Sequence, residues 1–227
     1  QIPTGNYDII FGPEAISTLL GFMNYIGFNG GLMQRGYSFL NPEQIGSRIF
    51  SEKFSLTDDP SRLETFPLKR DFMGMPRQAF PLIENGVFKA FTWSQDDADE
   101  FGQTPTGHTV AHKSLVIRGG DYPASTLEAL AAQPRDGDLL YIPFLHYTNI
   151  VNPSKALVTG SSRFGALLLK ADGSVVVPYN VRLTQSLLDV FGDGVAWISQ
   201  RTRPFNVSHS YGARNPSAII TPQFMRV

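Results

Sequence analysis

Four histidines, His108, His112, His146 and His209, have the widest catalytic and metal-binding range of the side chains in this 227-residue sequence. His108 and His112 belong to His108-Thr109-Val110-Ala111-His112, an i, i+4 spacing that on a helix lets two imidazoles share a metal. A zincin needs Glu directly after its first His as general base. Thr109 stands there, and Thr104-Pro105-Thr106-Gly107 ahead of it reads as loop, so the pair reads as two loop or strand imidazoles. Asp96, Asp97, Asp99 and Glu100 supply oxygens of the kind a hard cation takes, without the Gly and terminal Glu of an EF-hand loop. They read as a solvated turn, or as the first turn of a helix ending near Phe101-Gly102. Asp58-Asp59-Pro60 reads as a strand end closed by an Asx turn. Ser161 and Ser162 lie between Gly160 and Gly165 but form no G-x-S-x-G elbow. Asn206-Val207-Ser208 is a glycosylation sequon only if the chain is secreted.

Composition narrows the chemistry further. Lys and Arg number 19 and Asp and Glu 20, for a net charge of -1. No cluster of basic residues offers a phosphate-binding surface, so direct nucleic-acid binding is disfavoured. The absence of Cys removes disulfides, thiolate ligands and a cysteine nucleophile. No apolar run approaches the ~20 residues that cross a bilayer, and a soluble, cytoplasmic protein is expected. The charged fraction of 17% lies below the usual share of about 25%, which predicts a large core and apolar surface for another chain. The sequence opens on Gln1 rather than Met, as expected for a segment of a longer protein.

Four helices are predicted. Gly12-Pro13-Glu14 opens the first, since Pro suits the first helical position and Glu the first turn, and Ala15, Ile16, Leu19, Leu20, Met23 and Ile26 follow at helical spacing until Gly27, Gly30 and Gly31 end it. Asn41-Pro42-Glu43-Gln44 carries a capping box ahead of Ile45 and Ile49. Ser125-Thr126-Leu127-Glu128 starts a helix through Leu130 and Ala131 that Pro134 stops, and Thr184 is expected to cap one through Leu187, Leu188 and Phe191 up to Gly192. Asn85-Gly86 suits a type I′ turn between strands 81–84 and 87–93, and Asp172-Gly173 repeats that logic between 166–171 and 174–177. Further strands are expected at 54–57, 115–118, 139–147, 195–199 and 218–221. The fold class is therefore α+β, mainly β, with antiparallel sheets built from hairpins, sandwich or barrel-like, and three to four short helices in one domain spanning 1–227.

Several segments in order resemble the carboxy-terminal domain of the TldD/PmbA family, whose members include TldE and are also called modulators of DNA gyrase. They are Ile9-Ile10-Phe11-Gly12-Pro13-Glu14-Ala15 leading to Leu19-Leu20, Arg35-Gly36-Tyr37-Ser38-Phe39-Leu40, and Ile49-Phe50-Ser51-Glu52-Lys53-Phe54-Ser55-Leu56-Thr57-Asp58-Asp59-Pro60. Downstream follow Gly74-Met75-Pro76, Leu82-Ile83-Glu84-Asn85-Gly86-Val87-Phe88-Lys89, Pro105-Thr106-Gly107 and Val151-Asn152-Pro153. The resemblance implies a role in a two-subunit metallopeptidase, in which TldD-like subunits carry zinc on an H-E-x-x-x-H helix and a later Cys. The PmbA/TldE-like partner lacks the metal and completes a peptide chamber. Setting Leu19-Leu20 against the leucines before that motif puts its first His at Gly21, its Glu at Phe22 and its second His at Ile26. None of these can ligate zinc or take a proton, so the resemblance implies no catalytic residue, metal ligand or cofactor here, only a pseudo-active subunit.

Where family members often carry Asn and then Arg after the Gly, this sequence has Thr106-Gly107-His108 and then His112. These four are the candidate peptide-binding residues, because the two imidazoles can hydrogen-bond extended backbone. The implied partners are a TldD-like zinc subunit or a second copy of this chain, and a peptide, with no nucleic acid and no membrane. The family's amino-terminal domain is expected to lie outside this sequence. Two other readings stand beside this one: metal-independent hydrolysis involving His108 or His112, and a stand-alone homodimeric binding module.

Overall fold

The computed structural model describes residues 2–110, 112–208 and 216–227, and His209 lies outside them. Five α-helices occur among these residues: α1 (Pro13–Gly27), α2 (Gly30–Gln34), α3 (Gln95–Phe101), α4 (Leu127–Ala131) and α5 (Leu187–Phe191). One six-stranded sheet runs in the order Val175–Val176, Leu167–Leu169, Leu139–Ile142, Asp8–Phe11, Met225–Arg226, Trp197–Ile198. A second runs Thr202–Asn206, Ala218–Pro222, Leu115–Ile117, Leu56–Asp58, Phe80–Glu84, Val87–Phe88, and a three-stranded sheet joins Val181–Ser186, Leu157–Ser162 and His146–Asn152. The fold is thus mainly β within the α+β class, as expected. Each six-stranded sheet also holds one parallel pair, Asp8–Phe11 with Leu139–Ile142 and Ala218–Pro222 with Leu115–Ile117. Hairpin reasoning cannot anticipate such pairs, because parallel neighbours need a long crossover rather than a turn.

Helix α1 starts where Pro13 and Glu14 predict. Its N-cap is Gly12, which has no side chain to offer, and the Ala15 N–H donates instead to Pro143 O at 3.1 Å, so a carbonyl distant in the same sequence satisfies the helix end. One stripe of α1, including Ala15, Ile16, Leu19, Leu20, Met23 and Ile26, is buried in a core that also takes Phe11, Leu56, Ile117, Val158 and Ile219 from all three sheets. Each fully buried Leu or Ile contributes about 1.5–3 kcal/mol, so the stripe fixes how α1 is turned and which face is left outward.

Several predicted elements are corrected. Gly30 and Gly31 do not end a helix but begin α2, which Asn29 caps by accepting from Leu32 N at 2.9 Å. A Cβ on Gly30 would stand 2.5 Å from the Trp93 ring and one on Gly31 2.2 Å from the Asp97 carboxylate, so these glycines serve close approach. The helix expected after Asn41 is one 3-10 turn, Pro42–Gln44, stopped by Gly46 at φ 84, and Ile45 is exposed. Thr184 lies in a strand, and Ser186 caps α5. The Asn85-Gly86 turn has both residues at positive φ (47 and 79), as its type requires, although its second strand stops at Phe88. Leu169 pairs with Val175, so the second hairpin closes through a five-residue loop rather than the two-residue turn. The strand expected over 139–147 divides at Pro143 into strands of different sheets, since Pro has no N–H for a ladder.

Candidate functional site

Alternation along 54–58 points Phe54, Leu56 and Asp58 to one face, and all three are 0% exposed. This carries a carboxylate into the core, where it must find partners. Arg77 Nη2 donates to both Asp58 oxygens, at 2.8 and 2.7 Å, and Ser114 N donates to Oδ1 at 2.7 Å. His108 Nε2 stands 3.1 Å from Oδ2 without hydrogen-bond alignment, and its Nδ1 meets Thr106 Oγ1 at 2.8 Å. Burial acts to raise the Asp58 carboxyl, but His108 and Arg77 outweigh it and hold it below the usual carboxylate range. Thr106 Oγ1 in turn accepts from Trp93 N at 2.9 Å. Gly107 sits at φ 75, where an added Cβ would lie 3.0 Å from Pro76 O. Thr106, Gly107 and His108 therefore build the inner wall of the fold.

The next residues lead outward. Ser114 N is held on Asp58, and Lys113 stands just ahead of the strand Leu115–Ile117. Its Nζ donates to Asn24 Oδ1 at 2.9 Å and to Thr92 Oγ1 at 3.2 Å. Lys113 and His112 line a cavity of about 520 Å³ whose other walls are the outward face of α1, with Glu14, Ser17, Gly21 and Phe22, and Phe205 and Ile219 of the second sheet. Lys113 is half-buried, and burial pushes its amine down to about 8, with the field of Asp58 resisting and that of Arg77 assisting.

The structure separates His108 from His112: neither lies in a helix, and one imidazole is at Asp58 and the other at the cavity. His146 lies on a strand and stacks on Phe144 at 5.7 Å between ring centroids. The acidic cluster is α3, capped by Ser94, with Asp97 paired to Arg35 at 2.8 Å and Glu100 paired to the same guanidinium. The Asx turn forms at Asp59, whose Oδ1 accepts from Ser61 N at 2.9 Å, while Asp58 is the buried hub. Ser162 is a buried strand residue, and Asn206 Oδ1 accepts from Ser208 N at 2.8 Å. Asp58, Arg77 and Lys113 escaped the sequence reading as interacting groups; for Asp58 the signal was there in alternation, which sets it in line with the buried Phe54 and Leu56, whereas Arg77 and Lys113 lie outside any strand.

Zinc is tested by the donor set. Gly21 offers a hydrogen at the cavity wall, Phe22 a phenyl ring, and Ile26 is 2% exposed in the core. The chain has no Cys. Among the described residues no three His, Asp or Glu side chains gather as a metal's ligands. These residues do not fit the zinc site that the family resemblance would place on this helix.

The structure is a mainly β domain whose long helix walls a cavity, with Gly21, Phe22 and Ile26 at the positions that the resemblance sets against the zinc motif. Residues 4–227 match the PmbA/TldA metallopeptidase C-terminal domain, and the chain belongs to that family. It is 31% identical over 102 residues to an uncharacterized protein of Methanocaldococcus jannaschii, covering 44% of this chain and 24% of that one. It is 26% identical over 134 residues to a protein of Methanothermobacter thermautotrophicus named a metalloprotease, covering 59% and 28%. Its fold is similar to that of TldE from Thermococcus kodakarensis, with TM-score 0.74, 22% identity and coverage of 99% of this chain and 50% of that one. It is equally similar to a Thermotoga maritima protein labelled a modulator of a DNA gyrase, with TM-score 0.74, 17% identity and coverage of 100% and 49%. The chain thus spans about half the length of these solved relatives and a smaller share of the curated ones. No helix among the described residues is long and apolar enough to cross a membrane.

Proposed function

We propose that this protein is a metal-free, PmbA/TldE-like subunit of a two-subunit cytoplasmic metallopeptidase, which helps enclose peptide substrate while a TldD-like partner supplies zinc and bond cleavage. One observation carries this: the outward face of α1 looks onto a cavity, yet brings Gly21 and Phe22 there where a hydrolytic helix brings an imidazole and a carboxylate. The helix keeps its place as a wall, and at positions 21, 22 and 26 it has no group to ligate zinc, polarise a carbonyl or activate water. Thr106, Gly107 and His108 shape the loop that carries His112 to the cavity, and His112 is the member of that set positioned to meet peptide.

The test is reconstitution. The protein is mixed with a TldD-like zinc subunit, and peptide turnover is measured for the pair and for each chain alone, with and without chelator. Turnover by the pair that chelator abolishes, with none from this protein alone, supports the proposal; chelator-resistant turnover by this protein alone overturns it in favour of metal-independent hydrolysis. A homodimeric binding module is the second reading. It is favoured by large apolar side chains left outside, including Tyr147 at 64%, Phe164 at 68% and Tyr179 at 83% exposed. Size-exclusion chromatography separates the two: a stable homodimer that never exchanges for a TldD-like chain favours the module.

A further inference from the structure

We propose that the cavity beside α1 binds the C-terminal carboxylate of a peptide, with Lys113 as its ionic anchor and Phe22, Phe205 and Ile219 as the apolar seat for the last side chain. The proposal deepens the peptide-enclosing reading and rests on it for choosing a peptide as the carboxylate's source.

The argument begins with an uncompensated cation. Both hydrogen-bond partners of the Lys113 ammonium, Asn24 Oδ1 and Thr92 Oγ1, are neutral oxygens, and no described carboxylate pairs with it, the ion-paired lysines being Lys89 and Lys170. Asp58 acts on it only through its field, being occupied by Arg77, His108 and Ser114. Glu14 shares the cavity, but it stands ten residues before Asn24 on α1, about 15 Å along the axis at 1.5 Å per residue, too far to neutralise Lys113. An ammonium has three N–H donors, and the partners among the described residues take two of them. An enclosed cation whose partners are all neutral gains most from an anion that brings both charge and acceptors. The depressed amine reports the same deficit: its charged form lacks compensation.

The surroundings select the rest of the ligand. Phe22, Phe205 and Ile219 give the cavity an apolar lining, and at Gly21 an added Cβ would meet nothing within 4 Å. A volume of about 520 Å³ falls in the range of roughly 300–1,000 Å³ that holds small ligands. That is room for the end of a chain rather than a folded segment.

The experiment measures binding of Ala-Ala-Ala-Phe to the purified protein by calorimetry, as the free acid, as the C-terminal amide, and as the amide with Asp in the third position. The free acid is expected to bind roughly tenfold to hundredfold more tightly than either amide, and Lys113→Met to erase that preference. Gly21→Leu, which favours the helix and leaves Lys113 in place, should weaken the free acid at least about tenfold by filling the seat; it decides the matter if Lys113→Met does not fold. Equal binding of acid and plain amide, a preference that survives Lys113→Met, or unchanged binding in Gly21→Leu overturns the proposal. Binding of the Asp-containing amide as tight as the free acid overturns the assignment to the chain terminus. No partner subunit is present in these measurements, so their failure leaves the two-subunit reading standing, and the absence of a partner leaves this proposal standing.

Discussion

Replacing Asp58 by Asn should be among the most damaging conservative changes this protein can suffer. The Asp58 and Arg77 side chains are 0% and 1% exposed. Arg77 sends Nη1 to Leu68 O at 2.9 Å and Nη2 to the carboxylate, while its Nε has no partner. An amide at position 58 leaves the guanidinium enclosed with neutral acceptors only, and removing one member of a buried pair costs about 3–5 kcal/mol. At roughly 2–4 °C per kcal/mol for a chain of this length, the melting temperature should fall by about 6–20 °C. Urea unfolding followed by tryptophan fluorescence gives the free energy for the wild type, Asp58→Asn, Arg77→Met and the double variant. The double variant should lose clearly less than the two single losses together, because the second substitution removes the charge that the first left stranded. A loss below about 1 kcal/mol for Asp58→Asn, or strictly additive losses, would show that the pair does not hold the second sheet to the loop around Arg77.

Because Asp58 ionises more readily folded than unfolded, its contribution should be complete above the ordinary carboxylate pKa of about 3.9 and fade as the pH falls from there through its lower folded value. Acid unfolding curves of the wild type should therefore steepen below that point relative to Asp58→Asn. Lys113 works in the opposite sense: its amine titrates near 8 when folded and near 10.5 when unfolded, so the unfolded chain binds more protons between those values and stability should rise with pH across that window. Lys113→Met should flatten the rise in pH-dependent denaturation, and an unchanged slope would assign it to another group. Gly86→Ala should cost more than about 1 kcal/mol in the same unfolding assay, since φ is 79 and the added Cβ would stand 2.3 Å from Phe50 O.

Local rules located what local forces decide. Pro13-Glu14 and the 3.6-residue stripe after them place α1, and Asn85-Gly86 places its turn, because both depend on the backbone preferences of adjacent residues. Gly30 and Gly31 misled for a physical reason: a glycine that ends a helix and one that lets an aromatic ring approach look alike in sequence, and only the position of Trp93 separates them. The Asp172-Gly173 turn was correctly a turn, but its length depended on how Leu169 meets Val175. His108 and His112 were singled out together by spacing. Their loop sent one to a buried carboxylate and the other to a cavity, since i, i+4 spacing means proximity only on a helix.

The residue types alone determined that no thiol and no H-E-x-x-x-H ligand set is available, which removes zinc coordination by that motif on α1 whatever the fold. They also determined membership of a family, because the ordered segments that carry the resemblance span nearly the whole chain. Tertiary structure alone decided that Asp58, Arg77 and His108, up to 50 positions apart in sequence, share one buried site, and that Lys113 meets Asn24 across the wall of a cavity. The reason is that periodicity states which face of an element is buried, whereas the partner on that face is chosen by chain crossovers and parallel pairings whose ends lie far apart in the sequence.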